Sequence, residues 1–454
     1  GFCPPAVVVR AAVFDTLGLP GLSSEQIEFW RDVFLKGLRE HFLTNGIRSF
    51  DSKGCLDDFR FICEKLANDE AVGKIAWSAC SDTSRQSRPL RVLVPMGAGK
   101  DSVVAWELLG RVGADICERQ WFFCEGEERE FSKCWRYQAL VNASNSKATV
   151  GEFVADLATF HRNRNASLTL VGHPWACLIC FASALVALLQ QFEYIAVGNE
   201  RSAGLGNGLD WDGVEVNHQW DKSFVFERAV HSYLESCCFG LVRYFSVLTP
   251  LWDIQVGLLF GHLCPRYLPL ILSCNQPEGA NASRWCAKCA KCAFVAAVLG
   301  AFFPVSDMRG VFGDDLFECA DINGHMDHVA GLGVEAASDD VDGCAAVLPP
   351  TLPPLARGHC KILGDSWKPF ECVGGAEETR LALLLVERRY SSEGRFPPRY
   401  FTTARKKALG RIDGEKIDLK LLEDWNVEHL LPPWFESTVK TALEEAFSGI
   451  RLWL

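Results

Sequence analysis

The apolar positions change period along the chain, and the changes outline a sheet core. Pro89–Pro95 (PLRVLVP) is a short apolar run that predicts a strand, and SVVAWELLGRVG from Ser102 has helical spacing. WFFC (Trp121–Cys124) predicts a second strand, TVGEFVADLATFH (Thr149–His161) a helix, LTLVG (Leu168–Gly172) a third strand and YIAVG (Tyr194–Gly198) a fourth. Between the last two stands WACLICFASALVALL, Trp175–Leu189. It is shorter than the roughly 20 apolar residues of a membrane span, so a buried helix is expected, with no membrane partner. Alternating strands and helices imply an α/β fold with a parallel sheet covered by helices. Ligands of such sheets bind beyond the carboxyl ends of the strands, where Gly97–Ser102 and Gly198–Ala203 lie.

The flanks differ. AVVVRAAVF near the start is β-prone, EQIEFWRDVFLKGLREHF from Glu25 is helical in period, and SACSDTSRQSR, ending at Arg88, has the composition of a linker. Asp321–Lys361, which includes LPPTLPPLARG, predicts an irregular connection; from Glu377 the chain is charged and helical in period down to TALEEAFSGI. Three regions are expected: a mixed N-terminal part over 1–88, the sheet domain over 89–305, and a C-terminal part over 306–454.

Composition narrows the classes. With 48% hydrophobic and 23% charged residues the chain can bury a core, which excludes a disordered protein. The net charge of −11 and the lack of a long basic stripe argue against a nucleic-acid partner. The 20 cysteines are diluted over 454 residues, which points to a reducing compartment, with metal binding where they cluster. No basic segment followed by an apolar one opens the chain, so a cytoplasmic location is expected, or a plastid if the source carries plastids.

PMGAGKDS (Pro95–Ser102) is the strongest chemical signal. A strand ends, Gly97 and Gly99 allow a tight turn, and a helix begins whose free N–H groups suit phosphate. Lys100 adds a mobile positive charge, Ser102 a hydrogen-bond donor, and Asp101 a carboxylate able to hold Mg²⁺ between phosphates. A Walker A loop is excluded, because Asp101 follows Lys100 and Val94 stands where that loop needs glycine. The segment resembles instead the PP-loop, SGGxDS, of enzymes that split ATP into AMP and pyrophosphate. CAKCAKC supplies Cys286, Cys289 and Cys292, with Cys274 upstream. Four thiolates suit a structural zinc, and three at two-residue gaps also suit an iron–sulfur cluster. GNERSA (Gly198–Ala203) and VNHQWDKSFVFE (Val216–Glu227) are unusually rich in hydrogen-bonding groups, and KPFECVGGAEE (Lys368–Glu378) sets a lysine, a carboxylate and a thiol ahead of a helix.

Together, and in this order, GAGKDS, GNERSA, VNHQWDKSFVFE, SCN with WCAKCAKCAF, and KPFECVG resemble the UDP-N-acetyl-α-D-muramoyl-L-alanyl-L-glutamate epimerase family, over about Arg91 to Arg380. The resemblance implies a PP-loop core of the adenine nucleotide α-hydrolase type with ATP, Mg²⁺ and structural Zn²⁺. It implies inversion of the terminal L-glutamate of a UDP-muramoyl dipeptide through an acyl-adenylate, for peptidoglycan precursor synthesis. Gly97, Gly99, Lys100, Asp101 and Ser102 would hold ATP, with Lys100 and Asp101 also catalytic. Cys372, Glu371 and His218 are the candidates for the base, Cys372 first. Asn199, Glu200, Ser202, Asn217, Gln219, Lys222 and Lys368 would line the substrate pocket, and Cys274, Cys286, Cys289 and Cys292 would bind metal. Ala98 stands where the family has Gly, and Asp221 where it has Ser, which would put a carboxylate in the pocket. Two alternatives remain open. The loop and cysteines also resemble 7-cyano-7-deazaguanine synthase, an amidating ligase, and a zinc-stabilised module could hold ATP without turnover.

Overall fold

Val92, Leu93 and Val94 are wholly buried, so the first sheet strand is covered on both faces, as a central parallel strand must be. The computed structural model describes residues 23–44, 88–125, 135–152, 174–211, 213–279, 283–332, 360–362, 368–407 and 418–450. Its main sheet contains β1 (Leu90–Pro95), β2 (Cys117–Glu125), β3 (Ala148–Glu152), β4 (Tyr194–Val197) and, later in the chain, Arg243–Ser246. All neighbours run parallel, with β3, β2, β1, β4 and Arg243–Ser246 side by side. The chain therefore reverses its direction of travel across the sheet between β1 and β4, and this crevice is where such folds bind ligands.

Alternate residues of each strand feed two cores. Val92, Val94, Trp121, Phe123 and Phe245 join a large core that includes the helices Lys100–Gly110, Asp253–Leu263, Ala290–Gly300, Ala376–Ser392 and Pro433–Ile450. Leu93, Phe122, Ile195 and Tyr244 face a second core with Phe29, Cys177, Cys180 and Phe226. Trp106 stacks on Trp121 at 4.1 Å between ring centroids, which seats the helix Lys100–Gly110 on β2. Such a pair adds about 0.5–1.5 kcal/mol beyond its buried area.

The expected fold class is the one observed: a parallel-sheet α/β core, a four-cysteine site and a helical C-terminal region. Several elements need correction. Ala148–Glu152 is a strand paired with Trp121–Glu125, so the helix expected from Thr149 does not start there. Ala320–Val329 is a helix inside the stretch expected to be irregular. Its Ile322, Met326 and Val329 recur at helical spacing and are buried, a period masked in the sequence by the surrounding Asp, Gly and His. Cys360–Ile362 pairs antiparallel with Leu209–Trp211 in a second, small sheet. The helix Trp175–Gln190 buries only one face, through Cys177, Cys180, Ser183, Ala184 and Ala187, while Leu185 and Leu189 are exposed. The strand expected at 168–172, the β-prone start, the linker before Arg88 and the proline-rich run at 348–358 lie outside the described residues.

Candidate active site

β1 ends at Pro95, and the loop after it reaches the helix Lys100–Gly110 through Ala98, whose φ is 56°. That left-handed backbone explains a glycine preference here, since a Cβ in it costs about 1–2 kcal/mol. Gly99 caps the helix with no side-chain hydrogen bond, leaving its N-terminal N–H groups to a ligand. The Ser102 hydroxyl donates to the Gly99 carbonyl at 3.1 Å. From the neighbouring strand Gly198 approaches so closely that a Cβ on it would stand 2.8 Å from the Asp101 carbonyl oxygen.

Lys100 is almost fully buried and forms ion pairs with Asp101, at 2.5 Å, and with Asp253. Burial would lower its pKa, but Asp101 and Asp253 raise it overall, so it carries its charge at all ordinary pH. One oxygen each from Asp101, Glu200 and Asp253 lies within 4.8 Å of the others. Hard carboxylate oxygens so grouped suit Mg²⁺. Burial pushes the Asp253 carboxyl up to about 6 against the pull of Lys100, and burial with Asp101 nearby also raises Glu200. Asp253 begins the helix Asp253–Leu263 just beyond the last sheet strand, at a carboxyl end as the fold requires. The sequence reading missed it because no motif surrounds PLWDIQ; its place after an apolar strand was the available signal.

A second group stands beside this one. The Lys222 Nζ donates to the Cys372 Sγ at 3.5 Å, and the His218 Nε2 is 3.7 Å from the same sulfur. On its other side the His218 Nδ1 is 2.5 Å from the Glu40 Oε2. Glu40 comes from Arg39–Thr44, which follows the helix Ser24–Gly37; Ser23 and Gln26 form a capping box at the start of that helix, and Phe29 and Val33 anchor it in the second core. Burial opposes ionisation of Cys372, but Lys222 and His218 hold its thiol well below the usual range. Burial alone would lower His218; its bonds to Cys372 and Glu40 instead raise it to about 10. The Cys372 thiolate is the leading cause of a rise at Lys222, with Glu200 and Asp221 adding to it. Glu371 is pushed up to about 7, chiefly by burial and then by Cys289. Glu40 went unseen because its helix gives no chemical signature, and its partner lies 178 residues away.

Other expected pocket residues hold the loops in place. Lys368 is buried and donates to the Ser202 carbonyl at 2.9 Å, and burial lowers its pKa to about 8. The Ser202 hydroxyl donates to Glu378 at 2.5 Å, and Glu378 also accepts from the Gly375 and Ile254 N–H groups. The Asn217 amide donates to the Ala203 carbonyl at 3.0 Å, while the backbone of Asn199 bonds the Ser246 hydroxyl. Gln219 keeps a buried side-chain oxygen with no partner. Asp221 accepts the Cys177 N–H at 3.1 Å and so caps the helix Trp175–Gln190. The carboxylate expected to intrude on the pocket is a helix anchor.

The four cysteines of the knuckle are buried, with Sγ–Sγ contacts of 3.5, 3.6, 3.7 and 3.9 Å. A tetrahedron with metal–sulfur bonds of about 2.3 Å has edges of about 3.8 Å, so the set fits one zinc-sized ion. Thiolates on the separate irons of a cluster would stand wider apart, each outboard of its own metal. The knuckle touches both halves of the site. The Leu272 N–H donates to the Ala98 carbonyl at 2.8 Å, and the ammonium of Lys291 reaches the Cys372 carbonyl.

Sheet, switch-point crevice and paired lysine–carboxylate and thiol–imidazole groups define an α/β protein with the equipment of an enzyme. The family described as MurL N-terminal domain matches residues 10–247, and that described as MurL C-terminal domain matches 270–337. The chain belongs to the MurL family. It is 26% identical over 436 residues to the UDP-N-acetyl-alpha-D-muramoyl-L-alanyl-L-glutamate epimerase of Xanthomonas oryzae pv. oryzae, covering 93% of this chain and 81% of that one. It is 32% identical over 301 residues to the protein of the same name from Salinispora tropica, covering 65% of this chain and 55% of that relative's length. Among solved structures, the U34-tRNA thiolase NcsA from Methanococcus maripaludis, determined with its 4Fe-4S cluster, aligns with a TM-score of 0.27 and 13% identity over 50% of this chain and 70% of that one. Among the described residues, no helix is long and apolar enough to cross a membrane.

Proposed function

We propose that this chain inverts the terminal L-glutamate of UDP-N-acetylmuramoyl-L-alanyl-L-glutamate, consuming ATP and water and releasing AMP and pyrophosphate. The observation that carries the reading is the junction of two chemistries: Gly97–Ser102 with Glu200 and Asp253 on one side, and Cys372 with His218 on the other, joined through Lys222. The names of the relatives supply the substrate.

A free carboxylate resists loss of its α-proton, because a second negative charge must develop beside the first. Joining that carboxylate to AMP removes the first charge and lets the carbonyl receive the second. The free N–H groups after Gly99 and the Lys100 ammonium would bind the phosphates. Asp101, Glu200 and Asp253 would hold Mg²⁺, which supplies charge neutralisation between the phosphates. Cys274, Cys286, Cys289 and Cys292 would hold a structural Zn²⁺. The groups that remove and return the proton would come from among Cys372, Glu371 and His218, beside the adenylation loop. The substrate in this scheme is a small molecule.

The test uses the α-carbon. In deuterated water with the UDP-muramoyl dipeptide, ATP and Mg²⁺, the product D-glutamate should carry deuterium at the α-carbon, and exchange should require ATP. Free L-glutamate should be a poor substrate, since binding of the remote muramoyl part positions the reacting carbon. Neither D-glutamate nor deuterium from active protein would overturn the reading, as would exchange without ATP.

A further inference from the structure

We infer that Cys372 is a nucleophile, the first member of a Cys372–His218–Glu40 triad that takes the acyl group from the adenylate as a thioester before the α-carbon is inverted. The inference rests on the adenylating function proposed above and deepens it.

Three observations carry it. The geometry is that of an activated nucleophile: sulfur to imidazole at 3.7 Å, and the far imidazole nitrogen to an orienting carboxylate at 2.5 Å. Cys372 as a residue is half-buried, not sealed within either hydrophobic core. It also stands one lysine from the phosphate side of the site, since Lys222 contacts its sulfur and lies in the field of Glu200 and Asp101. Electrostatics then separate nucleophile from base. Lys222 and His218 hold Cys372 as a thiolate far below its ordinary value, and a general base loses strength as its pKa falls away from the working pH. Thiolate nucleophilicity falls much less steeply with pKa. His218, held as an imidazolium, has no free lone pair with which to take a proton. Glu371, the neighbour of Cys372 in the chain and in the field of both His218 and Cys372, is the remaining carboxylate of the set and takes the proton-transfer role.

The steps balance. The Cys372 sulfur attacks the acyl carbon; the C–S bond forms, the bond from that carbon to the AMP oxygen breaks, and AMP leaves with the electron pair. The α-proton passes to Glu371 while its electron pair moves into the thioester carbonyl as an enolate; a solvent-derived proton then returns on the other face, and Glu371 gives up to solvent the proton it took. Water then cleaves the C–S bond, restoring the thiolate and releasing the carboxylate and two protons. No oxidant or reductant enters, and the sum is ATP and water to AMP and pyrophosphate with one inverted centre.

The experiment is an acid quench during turnover of the full chain with UDP-muramoyl dipeptide, ATP and Mg²⁺, followed by intact-protein and peptide mass analysis. The expected result is an adduct of the substrate less water on the peptide carrying Cys372, removed by hydroxylamine. Cys372→Ala should still exchange pyrophosphate into ATP, while AMP release slows by about 100-fold or more. Deuterium in an adenylate that accumulates without any protein adduct would overturn the inference and make the thiol a base. So would AMP and D-glutamate formed by Cys372→Ala at the normal rate. Absence of pyrophosphate exchange in the wild-type chain would instead bring down the adenylation reading, and this inference with it.

Discussion

His218 and Glu40 meet at 2.5 Å across 178 residues of sequence, tying the short helix Arg39–Thr44 to the Cys372 thiol on the other side of the imidazole. The groups facing His218 are Glu40, the Cys372 thiolate and Glu371, with Lys222 on the far side of the sulfur. Glu40→Gln should lower the imidazolium's pKa and destabilise the fold by about 2 kcal/mol. The pH dependence has a definite sign. The folded-state value of about 10 is raised above the ordinary 6.5, so the contribution is complete below pH 6.5 and is lost as pH rises towards 10. Melting temperatures should therefore differ most between wild type and variant below pH 6.5, and converge towards pH 10. A gap that widens with pH would contradict the pairing.

Asp101→Asn removes a carboxylate shared by Lys100 and the three-carboxylate group. Pyrophosphate release should fall by about 2–4 kcal/mol in barrier terms, with the far-ultraviolet circular dichroism spectrum unchanged. A variant that turns over normally, or a wild-type protein that yields ADP, would remove the loop from the chemistry.

Two glycines separate structure from ligand. A Cβ on Gly198 would meet the Asp101 backbone at 2.8 Å, whereas one on Gly97 would meet nothing within 4 Å. Gly198→Ala should cost about 1–3 kcal/mol of stability, because backbone must move. Gly97→Ala should melt like wild type yet bind ATP more weakly, as its methyl enters space meant for phosphate. Equal ATP affinity for Gly97→Ala and wild type, measured by calorimetry, would place the phosphates elsewhere.

The four buried sulfurs predict about one zinc per chain and no labile sulfide. Cys289→Ser should lower metal content and melting temperature together. Several irons per chain in elemental analysis would replace the single ion with a cluster.

The legible part of this protein was local. PLRVLVP and YIAVG announced buried strands, GAGKDS a turn from strand to helix and CAKCAKC, with Cys274, a cysteine cluster, because each packs its signal into a few neighbouring residues. What stayed hidden depends on tertiary placement. Glu40 and Asp253 are ordinary carboxylates until the fold sets them beside His218 and Lys100. Ser202 and Lys368 have the composition of pocket residues but hold loops together, and Asp221 caps a helix. The helix Ala320–Val329 was hidden by poor intrinsic formers, whose preference tertiary burial overrides.

The knuckle holds the Ala98 loop through Leu272 and the Cys372 loop through Lys291. It therefore serves as the common datum from which both loops are measured. An agent that strips or oxidises these sulfurs need never enter the crevice to silence it. It would leave the sheet standing while the activating loop and the thiol drift out of register, and turnover would end before the protein melts.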